Sequence, residues 1–175
     1  WLLNFKILSA LTFTIKTSPS NIFADSGFLI DSPNLNIFTI EATFITTSEY
    51  AKVVAKHCDA SYNSSWAMYV EDGTPRIYFT DDDSFNVIGV GGTTRVDDGN
   101  VHIVAGQYDG NTLKIFVDGI LENSEATDLT PKFTDLPIGI GAFRNTANTD
   151  WDYSAPIYID EVRLSNSPLY PSDSY

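Results

Sequence analysis

The sequence predicts an all-β fold, a sandwich or jelly roll of two antiparallel sheets, and three observations carry that expectation. The first is a hydrophobic period of two in short runs rich in β-branched and aromatic residues. The second is a turn former between successive runs, and the third is the lack of any 11 to 18 residue window with a capped helical stripe. The runs, in order, are Ile37-Phe38-Thr39-Ile40-Glu41-Ala42-Thr43-Phe44-Ile45, Thr74-Pro75-Arg76-Ile77-Tyr78-Phe79, Leu113-Lys114-Ile115-Phe116-Val117 and Ile157-Tyr158-Ile159-Asp160-Glu161-Val162-Arg163-Leu164. Turns are expected at Glu71-Asp72-Gly73, Asp97-Asp98-Gly99-Asn100, Asp109-Gly110-Asn111 and Asp118-Gly119, where Gly or Asn accepts a positive φ. Asp109-Gly110, flanked by 101–108 and 112–117, is the strongest hairpin signal. The segment 144–156 shows no strand period and is expected to be a long polar loop.

The 175 residues suit one domain, 1–175, expected to bury about 70% of the surface of its unfolded chain. A hydrophobic content of 43% with only 19% charged residues lies far from the composition of disorder. Ten basic residues against 23 acidic ones give a net charge of −13, which cannot form the basic face that nucleic acid requires and disfavours anionic lipid. The most apolar stretch, 1–15, is interrupted by Asn4, Lys6, Ser9, Thr12 and Thr14, so no membrane insertion is expected. Trp1 stands without an initiator Met or a basic leader, as in a processed or trimmed chain, and the single cysteine, Cys58, allows no internal disulfide.

The order of motifs resembles the laminin G-like, concanavalin A-like lectin/glucanase superfamily. Asp31-Ser32-Pro33-Asn34-Leu35 with Phe38-Thr39-Ile40-Glu41-Ala42 is similar to its opening element, and Val53-Val54-Ala55-Lys56 to its next strand. The most specific match is His102-Ile103-Val104-Ala105-Gly106-Gln107-Tyr108-Asp109-Gly110-Asn111-Thr112-Leu113-Lys114-Ile115-Phe116-Val117-Asp118-Gly119, and Ile138-Gly139 with Ile159-Asp160-Glu161-Val162-Arg163-Leu164 completes it. The resemblance runs from Phe28 to the end and implies a concanavalin A-like jelly-roll sandwich of two antiparallel sheets. Two departures stand out: Val101-His102-Ile103 replaces Trp-His-His, and Ala155-Pro156 replaces the glycine before the Ile-Asp-Glu strand. The ending Leu164-Ser165-Asn166-Ser167-Pro168-Leu169-Tyr170 resembles the tail of such domains on bacteriophage and microbial surface proteins.

The superfamily includes β-glucan hydrolases, whose Glu-x-Asp-x-Glu strand sets its acids on one face. No such run occurs here, and adjacent Asp160 and Glu161 are expected on opposite faces, one of them bonding backbone or Arg163, so no catalytic residue is expected. His57 beside Cys58 offers no nucleophile and base, because adjacent strand residues diverge. His102 reads as a hydrogen-bonded structural histidine, and two histidines make an ordinary zinc site a poor fit.

The acids Asp81-Asp82-Asp83, Asp97-Asp98 and Asp150 with Asp152 suit structural Ca²⁺, which takes six to eight oxygen ligands, although no Asp-x-Asp-x-Asp-Gly spacing occurs and the plainer reading is solvated turn residues. Asp81, Asp82 and Asp83 are the candidate metal residues. Most Phe and Tyr residues alternate with polar neighbours and are expected in the core, and Trp66, opening a strand, is expected to pack. Trp151 is the candidate platform for a sugar ring, with Asn148, Asp150, Asp152 and Tyr153 as polar partners, and packing of Trp151 over the sandwich edge is the alternative. The resulting expectation is a non-catalytic recognition or adhesion module, extracellular, on a cell surface or on a virion, that binds glycans or surface polysaccharide. The alternative is a decoration or filament subunit in contact with its own copies or neighbouring structural proteins. In that reading Trp1-Leu2-Leu3-Asn4-Phe5-Lys6-Ile7-Leu8 is a strand given to another copy, and otherwise it is the family's own first strand.

Overall fold

The computed structural model describes residues 36–57, 65–81, 86–143 and 155–170 in full, and 12–16, 144 and 151–153 as strand backbone. Thirteen strands follow one another with no helix among the described residues: β1 (Thr12–Lys16), β2 (Phe38–Thr46), β3 (Ala51–Lys56), β4 (Trp66–Glu71), β5 (Thr74–Thr80), β6 (Val87–Gly91), β7 (His102–Tyr108), β8 (Thr112–Val117), β9 (Ile120–Ala126), β10 (Gly139–Ile140), β11 (Ala142–Arg144), β12 (Trp151–Tyr153) and β13 (Ile157–Ser165). A six-stranded sheet, β1-β13-β2-β7-β8-β9, faces a five-stranded one, β10-β3-β4-β5-β6, and β11 pairs with β12 in a separate ribbon. Every pairing is antiparallel.

Alternation puts Phe38, Ile40, Ala42 and Phe44 of β2 and Trp66, Met68 and Val70 of β4 inside, as a period of two requires of sheets with one buried face. Phe38 and Tyr108 of the first sheet meet Phe79 of the second, at centroid separations of 6.2 and 4.8 Å. Tyr108 carries its hydroxyl out of this apolar cluster to donate to the Leu129 carbonyl at 2.7 Å. Close to that junction the sheets approach closely at Gly106, where a Cβ would lie 2.7 Å from Cγ1 of Ile77. The β4–β5 and β8–β9 connections are two-residue turns with both central φ positive, at Asp72-Gly73 (51° and 76°) and Asp118-Gly119 (49° and 89°), matching strand twist.

The outer face of the six-stranded sheet is closed at one end by the chain's return. Buried Gln107 accepts from the amides of Leu169 and Tyr170 and donates to the Tyr170 carbonyl, all at 2.8 Å, while the Tyr170 ring packs on Phe116. Arg163 pairs with Glu41 and donates to the Tyr170 hydroxyl.

Two expectations change here. The register between β13 and β2 slips between Ile159 and Glu161, so Asp160 is the extra residue of a bulge and strict alternation does not govern the Asp160-Glu161 pair. Arg163, the expected partner of one of those acids, is held by Glu41 across the sheet. Second, 144–156 is not strandless: Trp151–Tyr153 forms β12, with Ala142↔Tyr153, Phe143↔Asp152 and Arg144↔Trp151 in register. Three polar or aromatic residues give too short a pattern to reveal a strand whose existence depends on its partner.

Candidate functional site

A sheet face that is not core must present something else, and on the five-stranded sheet it presents rings. On β4 and β5 the residues between the core positions are Ala67, Tyr69 and Glu71, and Thr74, Arg76 and Tyr78. Cross-strand register aligns Lys52, Tyr69, Arg76 and Gly91 in one row across β3 to β6, and Ala55, Ala67, Tyr78 and Gly89 in the next but one. Ala55 and Ala67 form the floor on which Phe143 of β11 sits, buried with Tyr69 and Tyr78 beside it. The ribbon β11–β12 is thereby anchored to this face at its β3 side.

The rings form a continuous chain. Tyr50, half exposed, lies 6.5 Å from Tyr69, which meets Tyr78 at 6.0 Å nearly edge-on. His57 follows at 5.9 Å from Tyr78 and 4.9 Å from Phe143. The Tyr78 hydroxyl and His57 Nδ1 are hydrogen-bonded at 2.5 Å, fixing both rings. Lys52 places its ammonium 5.2 Å from the Phe143 ring centroid, a cation–π distance. Burial first, and the neighbouring Glu71 carboxylate second, push the Tyr69 hydroxyl above its ordinary pKa, so it remains a neutral donor. At the other side, Gly89 and Gly91 of edge strand β6 leave the Tyr78 and Arg76 side chains uncovered by any Cβ from that strand. Chemically this is a surface of half-buried rings with hydroxyl, imidazole and guanidinium donors at their margins.

The expectation that strand tyrosines belong to the core is corrected for Tyr69 and Tyr78. Their period of two is real, but it sets them on the face opposite Met68 and Ile77. The signal was present in the sequence: β4 and β5 alternate aliphatic residues with Tyr and Arg, which is two-faced rather than uniformly apolar. Trp66, by contrast, is core, as expected.

Of the residues expected to bind ligand, Trp151, Asp152 and Tyr153 fall on β12, next to Phe143 in the ribbon, whereas Asn148 and Asp150 lie outside the described residues. The ribbon and the ring face therefore adjoin through β11. Asp81 directly follows β5 and is buried, where it bridges to Pro131 and accepts the Asn86 amide at 2.9 Å. Asp82, Asp83 and Cys58 lie outside the described residues, and no group of three or more metal-ligating side chains occurs among the described ones. His102 is held between two carboxylates, Nδ1 to Asp118 at 2.8 Å and Nε2 to Asp98 at 3.1 Å, a structural role at the rim.

Two antiparallel sheets packed face to face, one with a ring-lined outer surface, define a lectin-like β-sandwich. The chain belongs to the concanavalin A-like lectin/glucanases superfamily, whose laminin G-type model matches residues 24–173. No curated protein matches it in sequence. Among solved structures it is similar to the carbohydrate-binding module (CBM40) of a Ruminococcus gnavus IT-sialidase, solved with α2,3 sialyllactose, at 16% identity over 92% of this chain and 94% of that one, with a TM-score of 0.66. It is also similar to domains LG4-5 of the mouse laminin α1 chain, at 18% identity, 82% and 41% coverage and a TM-score of 0.60. The receptor-binding domain of botulinum neurotoxin type G matches at 10% identity, 79% and 36% coverage and a TM-score of 0.56. At these identities the likeness is one of fold.

Proposed function

We propose that this domain is a non-catalytic glycan-binding module and that its binding surface is the outer face of the five-stranded sheet, continued by the β11–β12 ribbon. The observation that carries the reading is the unbroken row Tyr50, Tyr69, Tyr78 and His57 on the sheet face opposite the core. Rings there lie outside the core between the sheets, and beside their packing on Phe143 they offer the flat apolar surface on which a pyranose stacks, with Tyr hydroxyls and Arg76 at its edge to bond sugar hydroxyls. Among the described strand residues of that face Glu71 is the one carboxylate, so the pair of acids needed for glycoside cleavage is not assembled there. A similar module in the solved structures carries sialyllactose, which supports a sugar as the ligand class. Binding of this kind places the domain outside the cell, on a cell surface or on a virion.

A second reading, contact with neighbouring subunits, draws on the exposed Val101, Ile103, Ile120 and Tyr158, large apolar side chains near one end of the six-stranded sheet. Glycan-array binding by wild type and by Tyr69→Ala and Tyr78→Ala tests the first reading. Binding that both variants retain in full would remove the site from this face. Sedimentation velocity tests the second, which requires concentration-dependent association.

A further inference from the structure

We infer that the saccharide taken by this face carries an acidic group, a carboxylate or a sulfate, and that Arg76 is the residue that selects it. The inference rests on the glycan reading above and narrows its ligand class. In a chain with 23 acidic and ten basic residues, the row across the outer face nevertheless reads Lys52, Tyr69, Arg76, Gly91, a ring with a cation on either side.

Arg76 differs from the other arginines whose side chains are described. Arg95 is bound by Asp97, Glu49 and the Asp72 carbonyl, and Arg163 by Glu41 and Tyr170. Arg76 makes one ion pair among the described residues, Nε to Glu71 Oε2 at 3.6 Å, longer than a hydrogen bond; its Nε, like that of Arg163, is buried without an acceptor. The guanidinium is also accommodated by a glycine: a Cβ on Gly91 would lie 2.5 Å from Nη1 and 2.9 Å from Cδ and Cζ. A side chain at position 91 would displace the guanidinium from its place over that glycine. An arginine whose side chain is 40% exposed, kept over a glycine and held by one ion pair longer than a hydrogen bond can offer its two Nη groups as a planar fork to an anion from solution. Carboxylate and sulfate satisfy that fork with two parallel hydrogen bonds, whereas a single sugar hydroxyl satisfies one donor. Stacking on Tyr69 and Tyr78 would hold the sugar ring while Arg76 reads its charge.

The test is a glycan array and calorimetry on the 175-residue chain, with lactose, 3′-sialyllactose and 3′-sulfolactose represented among neutral, carboxylated and sulfated members. The expected result is that every bound glycan is acidic, that affinity falls as salt rises, and that Arg76→Gln weakens acidic binding by about 10- to 100-fold, the range for a lost charge-assisted hydrogen bond. The carboxylated and sulfated arms tell which anion is read. Gly91→Ala, which retains Arg76 but displaces it, is expected to weaken acidic binding in the same direction, and Lys114→Gln, on the other sheet, serves as control. Equal binding of neutral and acidic glycans, or full retention of acidic binding by folded Arg76→Gln, overturns this inference and leaves the glycan reading standing. An array with no bound glycan overturns both.

Discussion

Gly106 and Ile77 are the point at which the core supports the binding face, and Gly106→Ala is predicted to be destabilising although alanine is ordinarily the better strand residue. The added Cβ would lie 2.7, 2.9 and 3.1 Å from Cγ1, Cδ1 and Cβ of Ile77, roughly an ångström inside the separation at which carbon atoms attract. Both residues sit in central strands, β7 and β5, so neither backbone can yield without moving its sheet. Overpacking of this kind costs about 1–3 kcal/mol, which exceeds the 0.5–1 kcal/mol that replacing a strand glycine would otherwise return. At about 2–4 °C per kcal/mol for a chain of this size, a net loss of about 0.5–2.5 kcal/mol should lower Tm by about 1–10 °C. Ile77→Ala alone should cost about 2–5 kcal/mol through the cavity it leaves. The double variant should be more stable than the sum of the two losses predicts, by about 1 kcal/mol or more, because the new methyl occupies space vacated by Cγ1 and Cδ1. Since Ile77 lies between Arg76 and Tyr78 on β5, Gly106→Ala should weaken glycan binding as well. Guanidinium denaturation of the four proteins measures the coupling. Additivity within about 0.3–0.5 kcal/mol, or a neutral Gly106→Ala, would refute the close approach of the sheets.

Tyr78→Ala should lower glycan affinity by about tenfold or more, the loss expected of an aromatic anchor, and Trp151→Ala should do so if the ribbon contributes to the same surface; calorimetry on folded variants measures both. The pH response of the rim follows from His102: burial opposes its charge, but the Asp118 and Asp98 carboxylates outweigh that and raise its pKa. A raised folded pKa gives stability that is complete below the unfolded value of about 6.5 and is lost as pH rises through the folded one. Asp98, held at about 2 chiefly by the Asn100 amide, stays charged across that range. Melts from pH 5 to 9 should therefore show wild type losing more stability on the alkaline side than His102→Gln, and parallel curves would contradict this. Gln107→Leu removes the acceptor that the Leu169 and Tyr170 amides share, leaving Leu169 its bond to the Thr39 hydroxyl at 3.1 Å, and at a cost of about 1–3 kcal/mol should open 166–170 to limited proteolysis while the rest stays folded. For Asp81, Asp82 and Asp83, a bound Ca²⁺ at a hundred times its Kd would add about 2.7 kcal/mol, reversible by EDTA. Because Asp81 already accepts the Asn86 amide, the expected outcome is an unchanged Tm.

The sequence by itself determined the class of fold and most of its central strands, because each of β2, β5, β8 and β13 keeps its period of two over six or more residues, and β5 and β8 adjoin the positive-φ turns Asp72-Gly73 and Asp118-Gly119. Membership in the superfamily was legible for the same reason: its motifs are those strands and turns in order. It did not mark β9, whose Ile-Leu-Glu-Asn-Ser-Glu-Ala run has little to bury at a sheet edge and is a strand because the Asp118-Gly119 turn returns it onto β8. Nor did it mark β12, which depends on pairing with β11. The ring face shows the limit most clearly. Alternation tells that Tyr69 and Tyr78 share a side, and Met68 and Ile77 the other, but a period of two is blind to which side meets the second sheet. That choice was made by packing: Met68, Ile77 and Phe79 find Phe38, Val104 and Tyr108 across the sandwich, and the tyrosines are left outside, where register alone brings Arg76 beside Tyr69 and over Gly91.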